Sequence, residues 1–128
     1  MTQILTREQV LTMEPAEIDR HIHTILFNGE DLTGFKYKHV TYTIPDRRVF
    51  VKEIDTGVIW RECLAYSLEI SSAWEAEKKI KELRLQAKYC IALKQIVIGT
   101  GEYVGMFDYI HATPEQRCKA ALLAVLDI

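Results

Sequence analysis

The chain reads as an α+β domain: an antiparallel sheet of four to five strands packed by N-terminal, central and C-terminal helices, an αβα sandwich-like arrangement around a single layer of core. Three observations point there. Capping signals stand near both ends. Apolar residues recur every three or four positions early in the chain and again after Ser67, the spacing of one helix face. Between those stretches, and again after Tyr89, β-branched and aromatic residues run between turn residues. No repeat or linker divides the 128 residues, so 1–128 is one domain, large enough to bury a core without staples.

Thr6-Arg7-Glu8-Gln9 is a capping-box pattern and predicts a short first helix running to about Met13. Pro15 suits the first position of a second helix, and Ile18, Ile22, Ile25 and Leu26 fall on one face of it before Asn28-Gly29 stops it. The period then changes to two. Val40, Tyr42 and Ile44 alternate with Thr41 and Thr43, and Pro45-Asp46-Arg47-Arg48 turns the chain into a strand from Val49 to Ile54. A third strand is expected over Val58 to Cys63.

Ser67 stands where an N-cap would. The helix after it, about Leu68 to Gln86, carries Ile70, Ala73, Trp74, Ile80 and Leu83 on one side and Glu75, Lys78, Lys79, Lys81 and Glu82 on the wet side. It is expected to pack on the sheet through Ile70, Trp74 and Ile80. Tyr89 to Ile98 reads as a strand, Gly99-Thr100-Gly101-Glu102 as a hairpin turn, and Tyr103 to Ile110 as the returning strand. Thr113-Pro114-Glu115-Gln116 joins an N-cap, a first-turn proline and a capping box. The helix it opens is apolar throughout Ala120 to Leu126, more than one face requires. Burial against both its own sheet and a second copy would account for that, so a homo-oligomer is expected.

A net charge of −2 with acids and bases interspersed leaves no electrostatic footprint for duplex nucleic acid or an anionic membrane. The first thirty residues lack an apolar signal-peptide core, and no apolar run approaches membrane-spanning length. Cys63, Cys90 and Cys118 are odd in number and far apart. They read as reduced, buried thiols of a cytosolic protein.

The order of these segments resembles the phage ABA sandwich domain, a family of small phage and prophage proteins. Thr6 to Pro15 is similar to that family's opening helix-and-proline segment. Tyr66-Ser67, followed by Ile70 and Ala73-Trp74-Glu75, resembles its tyrosine–serine turn and tryptophan-bearing helix. Cys118 to Leu126 looks like its alanine-leucine closing helix. Glu69 departs from the aspartate usual there, and Gly34 to Val58 is unfamiliar. The resemblance implies an α/β sandwich, a phage or prophage origin and a place in the host cytosol; it supplies no reaction.

The residues show no catalytic motif. His21 and His23 point about 200° apart on a helix and cannot chelate together, and no paired-cysteine spacing suggests zinc, so neither a metal nor a cofactor is expected. Ser67, Ser71 and Ser72 are explained by capping, and no G-x-S-x-G elbow is present. His39 and His111 would meet only if the fold joined the two hairpins. Gly99-Thr100-Gly101 lacks the lysine and helix of a phosphate loop.

Two constellations remain as ligand-binding candidates. Arg47 and Arg48, with Lys36 and Lys38 on the strand before them, offer guanidinium forks for phosphate; a solvated turn is the plainer alternative. Trp60 and Arg61 with Tyr66 and Ser67 offer stacking faces beside a helix start; the plainer alternative is core packing plus a cap. Small phage proteins of this size and shape include sponges that sequester the nucleotide signals of bacterial defence. The expectation is therefore a non-enzymatic protein that captures a small anionic, nucleotide-type ligand, a cyclic oligonucleotide or an ADP-ribose derivative. The alternatives are a protein that grips a host or phage protein partner, and a small phosphodiesterase-like enzyme acting on such a signal.

Overall fold

The computed structural model describes residues 5–32, 34–38, 47–98 and 106–128. The first helix, α1 (Arg7–Leu11), opens as its sequence requires. Thr6 Oγ1 accepts the Gln9 N–H at 3.1 Å, and Gln9 Oε1 accepts the Thr6 N–H at 2.8 Å. Two amides without helical partners are satisfied reciprocally. Helix α2 (Pro15–His21) starts on its proline and runs into a π-helical turn, Ile22–Leu26. Ile18, Ile22 and Leu26 are buried along one stripe, with Ile25 half-buried. Asn28 then adopts a left-handed φ of 51°, and the Gly29 N–H closes on the His23 carbonyl at 3.0 Å, so Asn28-Gly29 is the stop.

Three strands follow: β1 (Lys36–Lys38), β2 (Arg47–Ile54) and β3 (Gly57–Leu64), antiparallel in the order β1-β2-β3. Asp55-Thr56 form the β2–β3 turn, and Gly57 takes a φ of 143°, which a side chain would resist. Arg47 and Arg48 are therefore the opening residues of a strand rather than the tip of a turn. The alternating segment Val40 to Ile44, with Pro45 and Asp46, lies outside the described residues. Register places Phe50 opposite Arg61 on β3 and Tyr37 on β1. Phe50 and Cys63 share one sheet face and pack on Leu32 and Phe35, with Ala16 of α2 beside them, making a small core of their own.

The second half of the chain corrects three expectations. The central helix, expected to reach Gln86, stops sooner: α3 spans Ile70–Glu82, and a further helix, α4 (Gln86–Ile98), follows it. Between them Arg84 takes a left-handed φ of 59°, while the Leu85 N–H bonds the Ile80 carbonyl at 3.0 Å. A residue with a Cβ disfavours that conformation, so no glycine announces the break. The segment Tyr89 to Ile98 is helix, not strand: its buried residues, Tyr89, Ala92, Leu93 and Val97, follow helical spacing. Met106–Ile110, expected to end a returning strand, forms a short helix, α5. The turn at Gly99 to Glu102 and the start of that strand lie outside the described residues. With these segments helical, the described sheet has three strands rather than four to five.

Helix α6 (Pro114–Leu126) carries the second capping box: Thr113 Oγ1 accepts the Gln116 N–H at 3.1 Å, and Gln116 Oε1 accepts the Thr113 N–H at 2.9 Å. It is the axis of the main core. α1, α2, α3, α4 and the π turn all pack on it, and Ala120, Ala121, Leu122, Leu123 and Ala124 are buried together. Its apolar circumference is thus covered by helices of its own chain, without calling on a second copy. Helix α3 packs on α6 rather than on the sheet, through Ala73, Ala76 and Ile80. Ile70 and Trp74 point outward, with Trp74 56 % exposed.

Candidate functional site

The sheet is joined to the helical body through α2, and that junction holds a charged group where little water reaches. Asp19 on α2 is fully buried. Its Oδ2 accepts from Arg48 Nε at 2.7 Å, and its Oδ1 accepts the Ser67 N–H at 2.7 Å. The Ser67 hydroxyl donates to the Pro15 carbonyl at 3.1 Å, so strand β2, helix α2 and the turn after β3 are tied at one point. Burial pushes the Asp19 carboxyl above its ordinary value, while Arg48 and the Ser67 hydrogen bond pull it down. Burial disfavours the charged Arg48 guanidinium, but Asp19 outweighs it, and the group is held above its usual value. With both carboxylate oxygens accepting bonds from fixed donors, the pair is charged and satisfied.

Beside this pair lies a cavity of about 530 Å³ between α2 and the sheet. Arg20, Lys36 and Arg48 supply its cations, Phe35, Tyr37 and Phe50 its rings, and Glu14 and Glu17 its carboxylates. Arg20 Nη1 donates to the Phe35 carbonyl at 2.7 Å, which fixes that guanidinium against the chain entering β1. The Arg48 guanidinium lies 5.6 Å from the centroid of the Tyr37 ring, and Tyr37 meets Phe50 edge to face at 6.2 Å. Lys52 stands 5.7 Å from the Phe35 ring centroid. The volume is that of a small-ligand site, and cations held among aromatic faces suit an anion carrying a planar ring.

Of the ligand-binding candidates singled out in the sequence, Arg48 and the Lys36 named beside it line this cavity. Arg47 is half-buried one position earlier, on the opposite sheet face. Arg61 pairs with Glu30 at 2.5 Å, both exposed, and Trp60 is 52 % exposed on the face away from Phe50. Tyr66 is buried and stacked on Phe27 at 5.3 Å, and Ser67 is buried in the Asp19 junction rather than capping a helix. Glu69 holds the cap position of α3 instead. The Trp60–Arg61–Tyr66–Ser67 set is therefore not one site. Sequence reading missed Arg20, Phe35, Tyr37 and Phe50, which converge from three separate segments; the one available signal was basic residues beside aromatics in 35–38 and 47–50.

The thiols are chemically quiet where they are buried. Burial, then the Asp19 charge, pushes Cys63 up to about 12, and Cys118 is pushed up by burial as well. At neutral pH neither is a nucleophile. Cys90 is exposed on α4, against the expectation that all three are buried. His21 is buried, its Nδ1–H donating to the Glu17 carbonyl at 2.8 Å, and His111 stacks on Phe107 at the end of α5; His39 lies outside the described residues. No cluster among the described residues could hold a metal ion. No described helix is long and apolar enough to cross a membrane.

Fold and site together define an α+β domain with a cavity lined by cations, carboxylates and aromatic rings at the junction of its sheet and its second helix. The family model of the phage ABA sandwich domain matches residues 10–122, and the chain belongs to that family. No match was found among curated proteins or among solved structures.

Proposed function

We propose that this phage protein captures a small anionic, nucleotide-type ligand in the cavity between α2 and the sheet and releases it unchanged. The observation that carries the reading is the lining itself: Arg20, Lys36 and Arg48 interleaved with Phe35, Tyr37 and Phe50 around about 530 Å³. Guanidinium and ammonium groups recognise phosphate, and an aromatic face recognises a base. Capture without conversion agrees with the side chains near it: the Ser67 hydroxyl is committed to a backbone carbonyl, and the Cys63 thiol stays protonated. The role this suggests is sequestration of a nucleotide signal of anti-phage defence in the host cytosol. That task needs affinity and abundance rather than acid–base machinery.

A second reading has one observation behind it. Leu68, Ile70 and Trp74 are exposed at the start of α3, a surface that would suit a protein partner. One experiment separates the readings. The protein is incubated with cyclic oligonucleotides and ADP-ribose derivatives, washed, heated, and the released material analysed by mass spectrometry. Intact ligand is expected, and Lys36→Ala and Tyr37→Leu should lose it while staying folded. A hydrolysed product would make the protein an enzyme, and no retained ligand would point to a protein partner.

A further inference from the structure

The sheet has two faces of different character. Phe50 and Cys63 turn one of them toward Leu32 and Phe35, and the cavity opens on that side. On the other face, strand register sets Val51 opposite Trp60, Val49 opposite Glu62 and Glu53 opposite Val58. An antiparallel sheet with one packed face ordinarily turns polar residues outward on the other. Here the outward positions of β2 read Arg47, Val49, Val51, Glu53, and those of β3 read Val58, Trp60, Glu62, Leu64. Val58 and Trp60 are exposed, and the half-buried Val49 and Val51 belong to neither core. Among the described residues, neither Arg47 nor Glu53 forms an ion pair. A contiguous apolar patch bounded by charge in this way marks an interface.

We propose that this face binds a second copy of the chain, sheet against sheet, about a twofold axis running across the strands. The pattern on the central strand β2 selects that occupant. Its outward side chains run cation, valine, valine, carboxylate, a series that is its own complement when reversed. With the axis across the strands, Arg47 of each copy meets Glu53 of the other, and Val49 packs on Val51 between them. On β3 the same operation sets Leu64 over Val58 and Trp60 beside Glu62. An axis along the strands would instead set Arg47 on Arg47 and Glu53 on Glu53, like charges facing each other on the most enclosed strand. The lysines of β1, the outer strand, fall on the rim, where water solvates them. Stacked sheets stand about 10 Å apart with strands aligned within about 30°, a gap that the facing valines and Trp60 can fill. Tyr37, Arg48 and Phe50 belong to the other face, so pairing leaves the cavity of each copy open.

Sedimentation velocity of the intact protein from about 1 µM to about 300 µM is the test, because a three-stranded face is small for an interface and a micromolar equilibrium is expected. The mass should rise from 14.8 kDa toward twice that value. Glu53→Arg and Arg47→Glu should each weaken association about tenfold or more, and the double variant Arg47→Glu/Glu53→Arg should restore it. Within one chain these positions lie roughly 20 Å apart along β2, so restoration reports a pair made between copies. Val51→Lys should leave a monomer, and circular dichroism melting checks that each variant is folded. Should Arg47→Glu unfold the chain, Glu53→Arg at its exposed position and the fluorescence of the two tryptophans still decide. In Trp74→Phe, the Trp60 emission should shift to the blue as concentration rises; in Trp60→Phe, the Trp74 emission should stay put. A monomer throughout the range would overturn the proposal. So would a dimer that tolerates Val51→Lys, a double reversal no tighter than its single variants, or a blue shift of Trp74 in place of Trp60.

Discussion

Arg48→Ala strips the buried Asp19 carboxylate of its guanidinium and leaves it the Ser67 N–H. The Asp19 side chain has no solvent exposure and that of Arg48 only 16 %, so water cannot replace the lost partner without opening the junction. Removing one member of a buried pair costs about 3–5 kcal/mol, because an uncompensated charge stays behind. At roughly 4 °C per kcal/mol for a chain of this size, the melting temperature should fall by about 12–20 °C at neutral pH. The pH dependence gives a second readout. Without Arg48 the push of burial on Asp19 has less opposing it, so its folded pKa rises further above the unfolded value of 3.8. A carboxyl raised in this way favours the fold at low pH, and the contribution is lost as pH rises through the folded pKa. The deficit relative to wild type should therefore shrink as pH is lowered from about 7 to about 5. Asp19→Leu combined with Arg48→Met removes both charges and should recover much of the loss. Calorimetric melting of the three proteins reads all of this. An Arg48→Ala variant that melts within about 2 °C of wild type would refute the claim that the pair is buried and coupled.

Ile80, 1 % exposed between α3 and α6, should cost about 2–5 kcal/mol when cut to alanine, whereas Trp74→Ala should cost about 1 kcal/mol or less; urea midpoints decide, and equal losses would mean the other face of α3 is inward. His21 has its folded pKa lowered below 6.5, by burial first, then by the nearby Arg20 charge, against the pull of the Glu17 carbonyl and the Glu17 and Asp31 carboxylates. The unfolded chain takes the proton first, so this contribution is complete above 6.5 and lost as pH falls below it. Urea midpoints should accordingly drop more steeply between about pH 7 and 5.5 in wild type than in His21→Gln, and parallel curves would contradict the burial. Thr113→Ala should cost about 0.5–2 kcal/mol by removing the acceptor for the Gln116 N–H, measurable as a melting shift with no change in ligand capture.

Much of the architecture is local and could be read from neighbours along the chain. Thr6 with Gln9 and Thr113 with Gln116 satisfy amides three residues away, Pro15 and Pro114 preset the first helical φ, and Asn28 tolerates the left-handed stop. Each of these depends on a handful of consecutive residues, and strands β2 and β3 cover the spans expected for them, Val49 to Ile54 and Val58 to Cys63, with one or two residues added at their ends. The family was legible for the same reason: its motifs are short runs of neighbouring residues.

What the sequence could not decide lies where the outcome depends on a distant partner. Tyr89 to Ile98 suits a strand by composition, yet α6 offers a surface that a helical stripe of Tyr89, Ala92, Leu93 and Val97 can cover. Arg84 breaks the long helix without a glycine because packing of Ile80 and Leu85 in the shared core outweighs the local cost of its φ. Trp74 looked like an anchor by size, but α6 takes up the small residues Ala73 and Ala76 instead, and the large ring is left outside. The cavity shows the limit most plainly. Glu17, Tyr37 and Arg48 belong to segments that no local rule connects, and Arg48 is placed by Asp19, 29 positions earlier in the chain. Capping and turn chemistry act within a few residues, so sequence alone determined where α1, α2 and α6 begin and where the second helical run stops at Asn28-Gly29. Ion pairs and cavities are made between elements, so only the tertiary structure decided which charges meet and what they surround.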